Sequence, residues 1–413
     1  MRASDRRTGT TTATTSDGTY LTIHLAYWGG YANAYLTTRS GATLYPPVAS
    51  NPSGQQGSFS ATDANGNQIY AVNGVYTDTL GQQALTVLGA APSPTTLSYT
   101  APSGGIATYT VNYKPYTVQT NFQCYTPVHI QEYNQSNIYL VDNITLPDST
   151  KYSFTYEATP GYSGDVTGRL ASVQLPTGGI IAYTYNYADG HNGIVCGDGS
   201  TDGLVRTLNG GLWNYTRTLV SGSEWQTTAT TPVDPQTGSA NNTVINFQKD
   251  SSNSTASFYE TQRQTYQGAV SPSNLLQTTV SCYNGNLSSC LTTPVSSPIA
   301  QVNATLQFPN NQQTQTVTFY NSSGLVSEVQ NYAYGSPAPG GMLQDSKITY
   351  ANLGNGFVDP PLNVSVYDGS THLVSETTYA YDEYSTYPLQ TTTGTPNHVA
   401  PSGARGNATT ITH

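Results

Sequence analysis

A short segment repeats along the chain, and this repetition limits the fold more than any other feature of the sequence. The segment APSGGIATYTVNY at 101–113 matches LPTGGIIAYTYNY at 175–187 at eight of 13 positions without a gap. A third copy begins with Leu-Pro at 146, 29 residues before the Leu-Pro at 175, and has aromatic residues at matching offsets. Repeats of this length are supersecondary units that bury their apolar faces against neighbouring copies.

The repeat unit predicts one antiparallel β-hairpin. Leu-Pro ends a strand because proline cannot donate a ladder hydrogen bond, and the Asp-Ser or Thr-Gly-Gly that follows favours a reversal. After the turn, Ile181, Tyr183 and Tyr185 alternate with smaller residues and place an apolar stripe on one strand face. A single hairpin is barely stable in water, so neighbouring hairpins must cover these stripes.

Turn signals of the same kind recur outside the repeat. They occur in TDANGN at 62–67, around Leu80-Gly81, in NSSG at 321–324 and in YDGS at 367–370. Asn, Asp and Gly favour these reversals by bonding their own backbone or by adopting positive φ. Two Gly-, Asp- and Asn-rich stretches, at 188–211 and 229–243, instead predict longer irregular connections.

The composition agrees with an all-β fold and excludes several classes of protein. Thr and Tyr favour pleated surfaces, and the chain has 33 Tyr against 8 Phe, which indicates many half-buried aromatic positions and little dry core. Charged residues are only 9% of the chain, which argues against helical bundles and coiled coils. The 13 Lys and Arg are too few for a nucleic-acid partner. We therefore expect antiparallel hairpins that form a curved or spiralling sheet.

The regularity of the pattern divides the chain into three expected parts. Residues 1–18 predict a disordered or truncated lead-in, residues 19–137 an irregular N-terminal β region, and residues 138–413 the hairpin-repeat region. The start lacks the apolar stretch of a signal peptide, and no run approaches the ~18 apolar residues of a membrane span. The low-Lys, hydroxyl-rich composition nevertheless favours an extracellular or cell-surface location, with any export signal supplied by upstream sequence.

Four cysteines are present, and two of them suggest a disulfide. Cys282 and Cys290 flank Asn284-Gly285, a strong tight-turn signal, so they can face each other across a short hairpin in an oxidising compartment. Free structural thiols and a metal site remain alternatives. Cys124 and Cys196 form either a second pair or two free thiols, and the sequence does not choose between them.

Other side chains suggest ligand binding only weakly. Asp63, Asn65 and Asn67 have the spacing of a calcium loop, and Asp198 with Asp202 gives a second such spacing, but both also fit simple turns. The six histidines show no metal-binding spacing, and no Gly-x-Ser-x-Gly elbow is present. We expect no catalytic, cofactor or metal site.

The three tryptophans are the best candidates for stacking on sugar rings. They are Trp28, in an aromatic-rich segment, and Trp213 and Trp225. The alternative is that each tryptophan is an anchor packed inside the β structure.

Several of these phrases resemble the RHS or YD-repeat family. The resemblance rests on LPDSTKYSFTYE and LPTGGIIAYTYNY within 146–187, on TDANGNQI at 62–69, on VYDGSTHLVSETTYAYDEY at 366–384, and on RGNATTIT at 405–412. It implies a strip of hairpins that spirals into a hollow shell, which in toxin members encloses a C-terminal toxin. A self-cleaving core domain with aspartates in a Pro…Asp-Pro-x-Gly-Leu signature releases that toxin. The Asp-Pro pairs at 234–235 and 359–360 lack the Gly-Leu, so we expect a repeat region without the core and toxin.

The expected function is therefore structural and not enzymatic. A shell segment would enclose or present a cargo or toxin segment, and its partners would be other RHS-repeat segments or that enclosed segment. The alternative is a secreted adhesin or carbohydrate-binding module that binds glycans through exposed Tyr and Trp.

Overall fold

The computed structural model describes residues 9–14, 22–28, 31–45, 59–124, 130–185, 191–196, 199–201, 203–252, 257–390, 393–401 and 403–413, with side chains from Tyr35 onward. Within these residues, twenty-seven strands join in one sheet. The first fourteen are β1 Gly9–Thr14, β2 Thr22–Trp28, β3 Tyr31–Thr37, β4 Thr43–Tyr45, β5 Phe59–Thr62, β6 Gln68–Val72, β7 Val75–Thr77, β8 Gln83–Leu88, β9 Thr95–Thr100, β10 Ile106–Gln119, β11 Asn134–Thr145, β12 Lys151–Ala158, β13 Val166–Gln174 and β14 Ile180–Tyr185. The others are β15 Gly203–Leu208, β16 Gly211–Ser221, β17 Glu224–Val233, β18 Ala240–Lys249, β19 Phe258–Tyr266, β20 Leu275–Tyr283, β21 Gln301–Gln307, β22 Gln313–Tyr320, β23 Val326–Tyr332, β24 Met342–Tyr350, β25 Pro361–Asp368, β26 Leu373–Tyr381 and β27 Ala408–Thr412.

The strands form one continuous meander. Each pairs antiparallel with the next strand in the chain, from β1 with β2 through to β26 with β27. In the part of the chain that the structure describes, the only helical segment is one 3-10 turn, Pro272–Asn274. The prediction of an all-β fold built from repeated antiparallel hairpins is confirmed.

Three local expectations differ from the structure. The 229–243 stretch is not an irregular connection, because β17 and β18 form a hairpin across the turn 234–239. Its Thr- and Asn-rich arms pair well, since Thr230 Oγ1 donates to Asn242 Oδ1 at 2.7 Å. Similarly, β15 occupies the end of the 188–211 stretch. Strand β1 lies inside the 1–18 segment that was expected to be a lead-in.

Nine hairpins in the described part of the chain share one turn geometry. The first turn residue donates its amide to the carbonyl of the fifth and accepts the amide of the fourth, which has positive φ. This is the pattern of a type I turn followed by a bulge residue in the left-handed region. The nine turns begin at Thr38, Asp63, Asp78, Ala101, Leu146, Leu175, Phe308, Asn321 and Asp368. The fourth residue is Gly in six of them, and the other three have Ser149, Asn311 and Thr371.

Four of these turns explain why Asp or Asn recurs at their first position. The side-chain Oδ1 of Asp63, Asp78, Asn321 and Asp368 accepts the amides of both the third and the fifth turn residues at 2.8–3.0 Å. The side chain therefore satisfies two amides that the strand ladder leaves unpaired. In the Tyr367-Asp368 pair, the aspartate is therefore the first residue of such a turn.

Replacing Thr371 with Gly is expected to stabilise the protein by about 0.5–1 kcal/mol, because a β-branched residue in the left-handed region is strained. Thr371 has a φ of 66° and an exposed side chain. The matched control is Gly178→Ala, at the same turn position with open space around a new Cβ, which should lose stability by a similar amount. Urea unfolding of both variants measures the change, and destabilisation by Thr371→Gly would contradict the shared turn geometry.

Tyrosines hold the β-bulges of the sheet. At each of five bulges, one residue has no partner on the preceding strand. The carbonyl of the residue just before it accepts a hydrogen bond from a tyrosine hydroxyl on the following strand. The donor and acceptor pairs are Tyr156–Val141, Tyr185–Leu170, Tyr283–Glu260, Tyr350–Val326 and Tyr381–Pro361, at 2.5–3.1 Å. Phenylalanine cannot make this bond, so the bulges give a physical reason for Tyr and not Phe at these five positions.

Raising the pH is expected to destabilise the sheet through these tyrosines. Burial, and to a smaller extent the Glu260 carboxylate, raises the pKa of Tyr283 from its ordinary value of 10.0 to about 12. Because the pKa is higher in the folded state, the contribution of Tyr283 is complete below pH 10 and is lost as pH rises towards about 12. Urea unfolding at stepwise pH should show this decline, and Tyr283→Phe should reduce it. An unchanged decline in that variant would exclude Tyr283 as a source.

The sheet has little enclosed core. Its accessible surface is 23,857 Å², whereas a compact monomer of 43.9 kDa exposes about 15,000 Å². The few buried apolar side chains are scattered, for example Val118, Val244 and Val317. Strands that follow each other in the chain make nearly all of the strand-to-strand contacts, which is the arrangement of a single layer.

The two halves of the chain meet because the sheet curves back on itself. Segments 353–359 and 396–401 contact three hairpin turns near the beginning of the sheet, and we call this contact the closure. Val399 donates its amide to Gly66 O at 2.9 Å, Asn397 donates Nδ2 to Asp78 O at 2.8 Å, and Val358 donates its amide to Arg39 O at 2.9 Å. These bonds join residues that are more than 300 positions apart in the chain.

Candidate functional site

A partly open cavity of about 250 Å³ lies at the closure. The first-half turns and strands supply one wall, and residues of the segments 353–357, 399–401 and 403–404 supply the other. The lining residues with the most distinctive chemistry are Tyr45, Asp63, Asn355 and Phe357. Such a cavity is smaller than the roughly 300–1,000 Å³ of a typical small-molecule pocket.

The cavity combines one exposed aromatic ring with polar groups. Tyr45 is 47% exposed and stacks on Tyr35 with ring centroids 5.4 Å apart. Asp63 keeps its carboxylate at the rim, but its oxygens already accept three hydrogen bonds from its own turn, including one from Asn67 Nδ2 at 2.8 Å. The amide donors around Asp63 favour the turn interpretation over a calcium loop. Asp198 and Asp202 lie outside the described residues.

Arginine side chains cover the two tryptophans whose side chains are described. Arg206 lies directly opposite Trp213 in the sheet and stacks on its ring at 4.3 Å. Arg217 stacks on Trp225 at 3.9 Å, and Phe258 packs edge-on against the same ring. Cation–π contacts of this kind hold strands together, so these rings are engaged within the sheet. The Trp28 side chain lies outside the described residues.

The disulfide between Cys282 and Cys290 is present, although its setting differs from the expected hairpin. Strand β20 pairs with β21 and places Cys282 opposite Asn303, whereas Cys290 lies in the connecting loop 284–300. That loop packs back onto the end of β18, because Gln248 Nε2 donates to Leu291 O at 2.6 Å. The disulfide thus fastens a loop to the sheet.

Cys124 and Cys196 form the second disulfide and lie beside His191. The two sulfurs and an imidazole nitrogen all lie within 4.8 Å of one another. This cluster could not be recognised from spacing, because Cys124 and His191 are 67 positions apart and the usual paired metal motifs are missing. The five-residue interval from His191 to Cys196 was the only local signal.

Hydrogen bonds hold two carboxylates in place, the buried Asp250 and the half-buried Asp382. Burial alone would raise the pKa of Asp250, but hydrogen bonds from Ser252 and Ser297 outweigh it and hold the pKa below its ordinary value. The pKa of Asp382 is lowered in the same way, against burial, by the Tyr384 hydroxyl and by backbone amides. Both groups stay ionised and fix loops to strands, which is a structural use of a carboxylate.

Comparisons with known proteins do not add to these observations. No protein-family model matches the chain, and a search of curated proteins finds no match. Among the described residues, no helix has the length and apolar character needed to cross a membrane.

Proposed function

We propose that this chain is a non-catalytic wall segment of a β-repeat shell that encloses or presents a second polypeptide segment at or outside the cell. Containment is the mechanism: continuous strand pairing supplies rigidity, and curvature supplies an interior. The observation that carries the proposal is the closure, which joins the beginning and the end of a one-layer sheet.

Exposed apolar side chains support a role in contacting another chain. Ile106 is 71% exposed and Val374 66%, and both lie on strands of the sheet. A partner with an apolar surface would remove these side chains from water on binding. If the chain is like the RHS or YD-repeat proteins that it resembles, the partner is an enclosed toxin segment or another repeat segment.

A protection assay tests containment. A flexible, protease-sensitive tail fused after His413 should be cleaved more slowly than the same tail fused to a variant whose closure is opened, such as Phe357→Ala. The matched control is Phe308→Ala, which removes a ring that packs at a tilt against Tyr334 and lies outside the cavity lining. Equal cleavage of all three tails, with the repeat body intact, would contradict the shell proposal.

A second candidate function is glycan binding, and the closure cavity is the observation that favours it. Tyr45 offers a ring for stacking, and Asn355 offers a hydrogen-bonding side chain within a volume suited to about one sugar residue. A glycan array should then show saturable binding that Tyr45→Ala abolishes. The exposed Tyr387, which does not line the cavity, provides the control Tyr387→Ala. Binding that survives Tyr45→Ala would exclude this site.

A further inference from the structure

We propose that Cys124, Cys196 and His191 bind a zinc-class divalent metal ion once the Cys124–Cys196 disulfide is reduced. Two thiolates and one imidazole are the donor set of three-ligand zinc sites, in which water completes the tetrahedron. Donors around such an ion lie about 3.5–4 Å apart, given zinc–sulfur and zinc–nitrogen bonds of about 2.0–2.3 Å. The three atoms here already lie within 4.8 Å.

Noncovalent contacts place the ligands independently of the disulfide. The Glu132 carboxylate accepts the amides of Phe122 and Gln123 at 2.7 and 3.0 Å and so orders the segment that leads into Cys124. Asn192 donates its side-chain amide to Asn121 O, which joins this segment to the loop that carries His191 and Cys196. The two loops therefore stay together when the sulfur–sulfur bond is broken.

Arg169 holds the loop that carries His191 and Cys196 in place. Its guanidinium forms a two-pronged ion pair with Glu157, at 2.7 and 2.9 Å, and donates to Asn192 O at 2.9 Å and to Gly193 O at 3.2 Å. The same group stacks on Tyr185 at 4.0 Å and on Phe122 at 5.2 Å, so it contacts both loops. Charge-assisted bonds of this kind make the ligand loop rigid.

The cluster is exposed enough for a reductant and a metal ion to reach it. Cys124 is 3% exposed, whereas His191 and Cys196 are only half-buried, so a reductant and an ion can approach from the side of the loop. A dithiol reductant supplies two electrons and two protons: the protein disulfide breaks, two thiols form, and the reductant becomes a disulfide. Metal binding then releases both thiol protons, and the two thiolates balance the charge of the ion.

The disulfide and the metal are consequently alternative states of one site. An oxidising compartment favours the disulfide, and a reducing compartment with available metal favours the ion. In either state the cluster ties the segment before β11 to the loop before β15. The site would therefore preserve this connection in both environments.

Metal titration of the reduced protein tests the proposal. In a Cys282→Ser/Cys290→Ser background, Cys124 and Cys196 are the only thiols. After anaerobic reduction and removal of the reductant, Co²⁺ should bind one per chain and give thiolate-to-cobalt charge-transfer absorption that Zn²⁺ abolishes. The oxidised protein should show no such band. Absence of the band after reduction would overturn the proposal.

Variants of the histidine make the test specific. His191→Ala should weaken Co²⁺ and Zn²⁺ binding by at least about tenfold, whereas His372→Ala, at an exposed turn, should not change it. His191→Gln removes the imidazole but keeps a polar side chain, and circular dichroism of both variants reports whether the sheet is intact. Unchanged affinity in either folded variant would show that His191 is not a ligand and would overturn the assignment.

Discussion

Replacing Cys124 and Cys196 together with serine is expected to lower the free energy of unfolding by about 4 kcal/mol, the larger loss of the two disulfides. The reason is loop closure: this bridge joins residues 72 positions apart, whereas Cys282 and Cys290 are separated by 8. A cross-link over a longer loop removes more conformational entropy from the unfolded chain. Urea unfolding under non-reducing conditions measures the difference.

The Cys282→Ser/Cys290→Ser variant is the matched control and should lose about 2.5 kcal/mol on the same argument. Its structural effect should also be local, confined to the loop 284–300 and its contacts with β18. An equal or larger loss in this control than in the Cys124/Cys196 variant would contradict the loop-length argument. Such a result would place the main stabilising effect in the packing of the short loop.

Replacing Phe357 with Ala is expected to cost about 3–5 kcal/mol and to open the closure. The Phe357 ring is 7% exposed and packs between the backbones of Gly41 and Gly406, where neither glycine could carry a Cβ without meeting the ring. Phe357 therefore joins an early turn to a late segment of the chain. Its removal leaves a hole in the wall of the cavity and weakens the nearby hydrogen bonds.

Hydrogen exchange provides the site-specific readout for Phe357→Ala. The amides of Val399 and Val358, which donate to Gly66 O and Arg39 O, should lose protection, while amides in the middle of β17 and β18 should not. Phe308→Ala again serves as the control, because its ring contacts Tyr334 away from the closure. Unchanged protection at Val399 would show that Phe357 does not hold the two halves together.

The turns were predictable because the interactions that form them lie within five residues. At Asp63 and Asp368 one side chain bonds the amides of its own turn, and the fourth residue takes positive φ. Where a residue type was a poor guide, the prediction was wrong. The residue types in 229–243 predict a loop, yet Thr230 and Asn242 bond each other across β17 and β18.

The positions of the bulges could not be predicted from the sequence, although the high number of tyrosines is evident in it. The sequence shows that Tyr exceeds Phe, but it does not show that the Tyr283 hydroxyl reaches Glu260 O on the neighbouring strand. The position of a bulge depends on the register of two strands, and register is a property of the pair. The use of Arg206 and Arg217 to cover Trp213 and Trp225 depends on cross-strand placement in the same way.

The sequence by itself determined that this chain is all-β, that its units are antiparallel hairpins, and where many of the hairpins turn. These properties depend on alternation and on turn chemistry, which act between residues close together in the chain. Only the tertiary structure decided that the strip closes on itself, that Cys124 and Cys196 meet beside His191, and that Phe357 joins the two halves. Small twists between neighbouring strands add up over twenty-seven strands, so the positions of distant residues follow from the whole sheet and from no single segment.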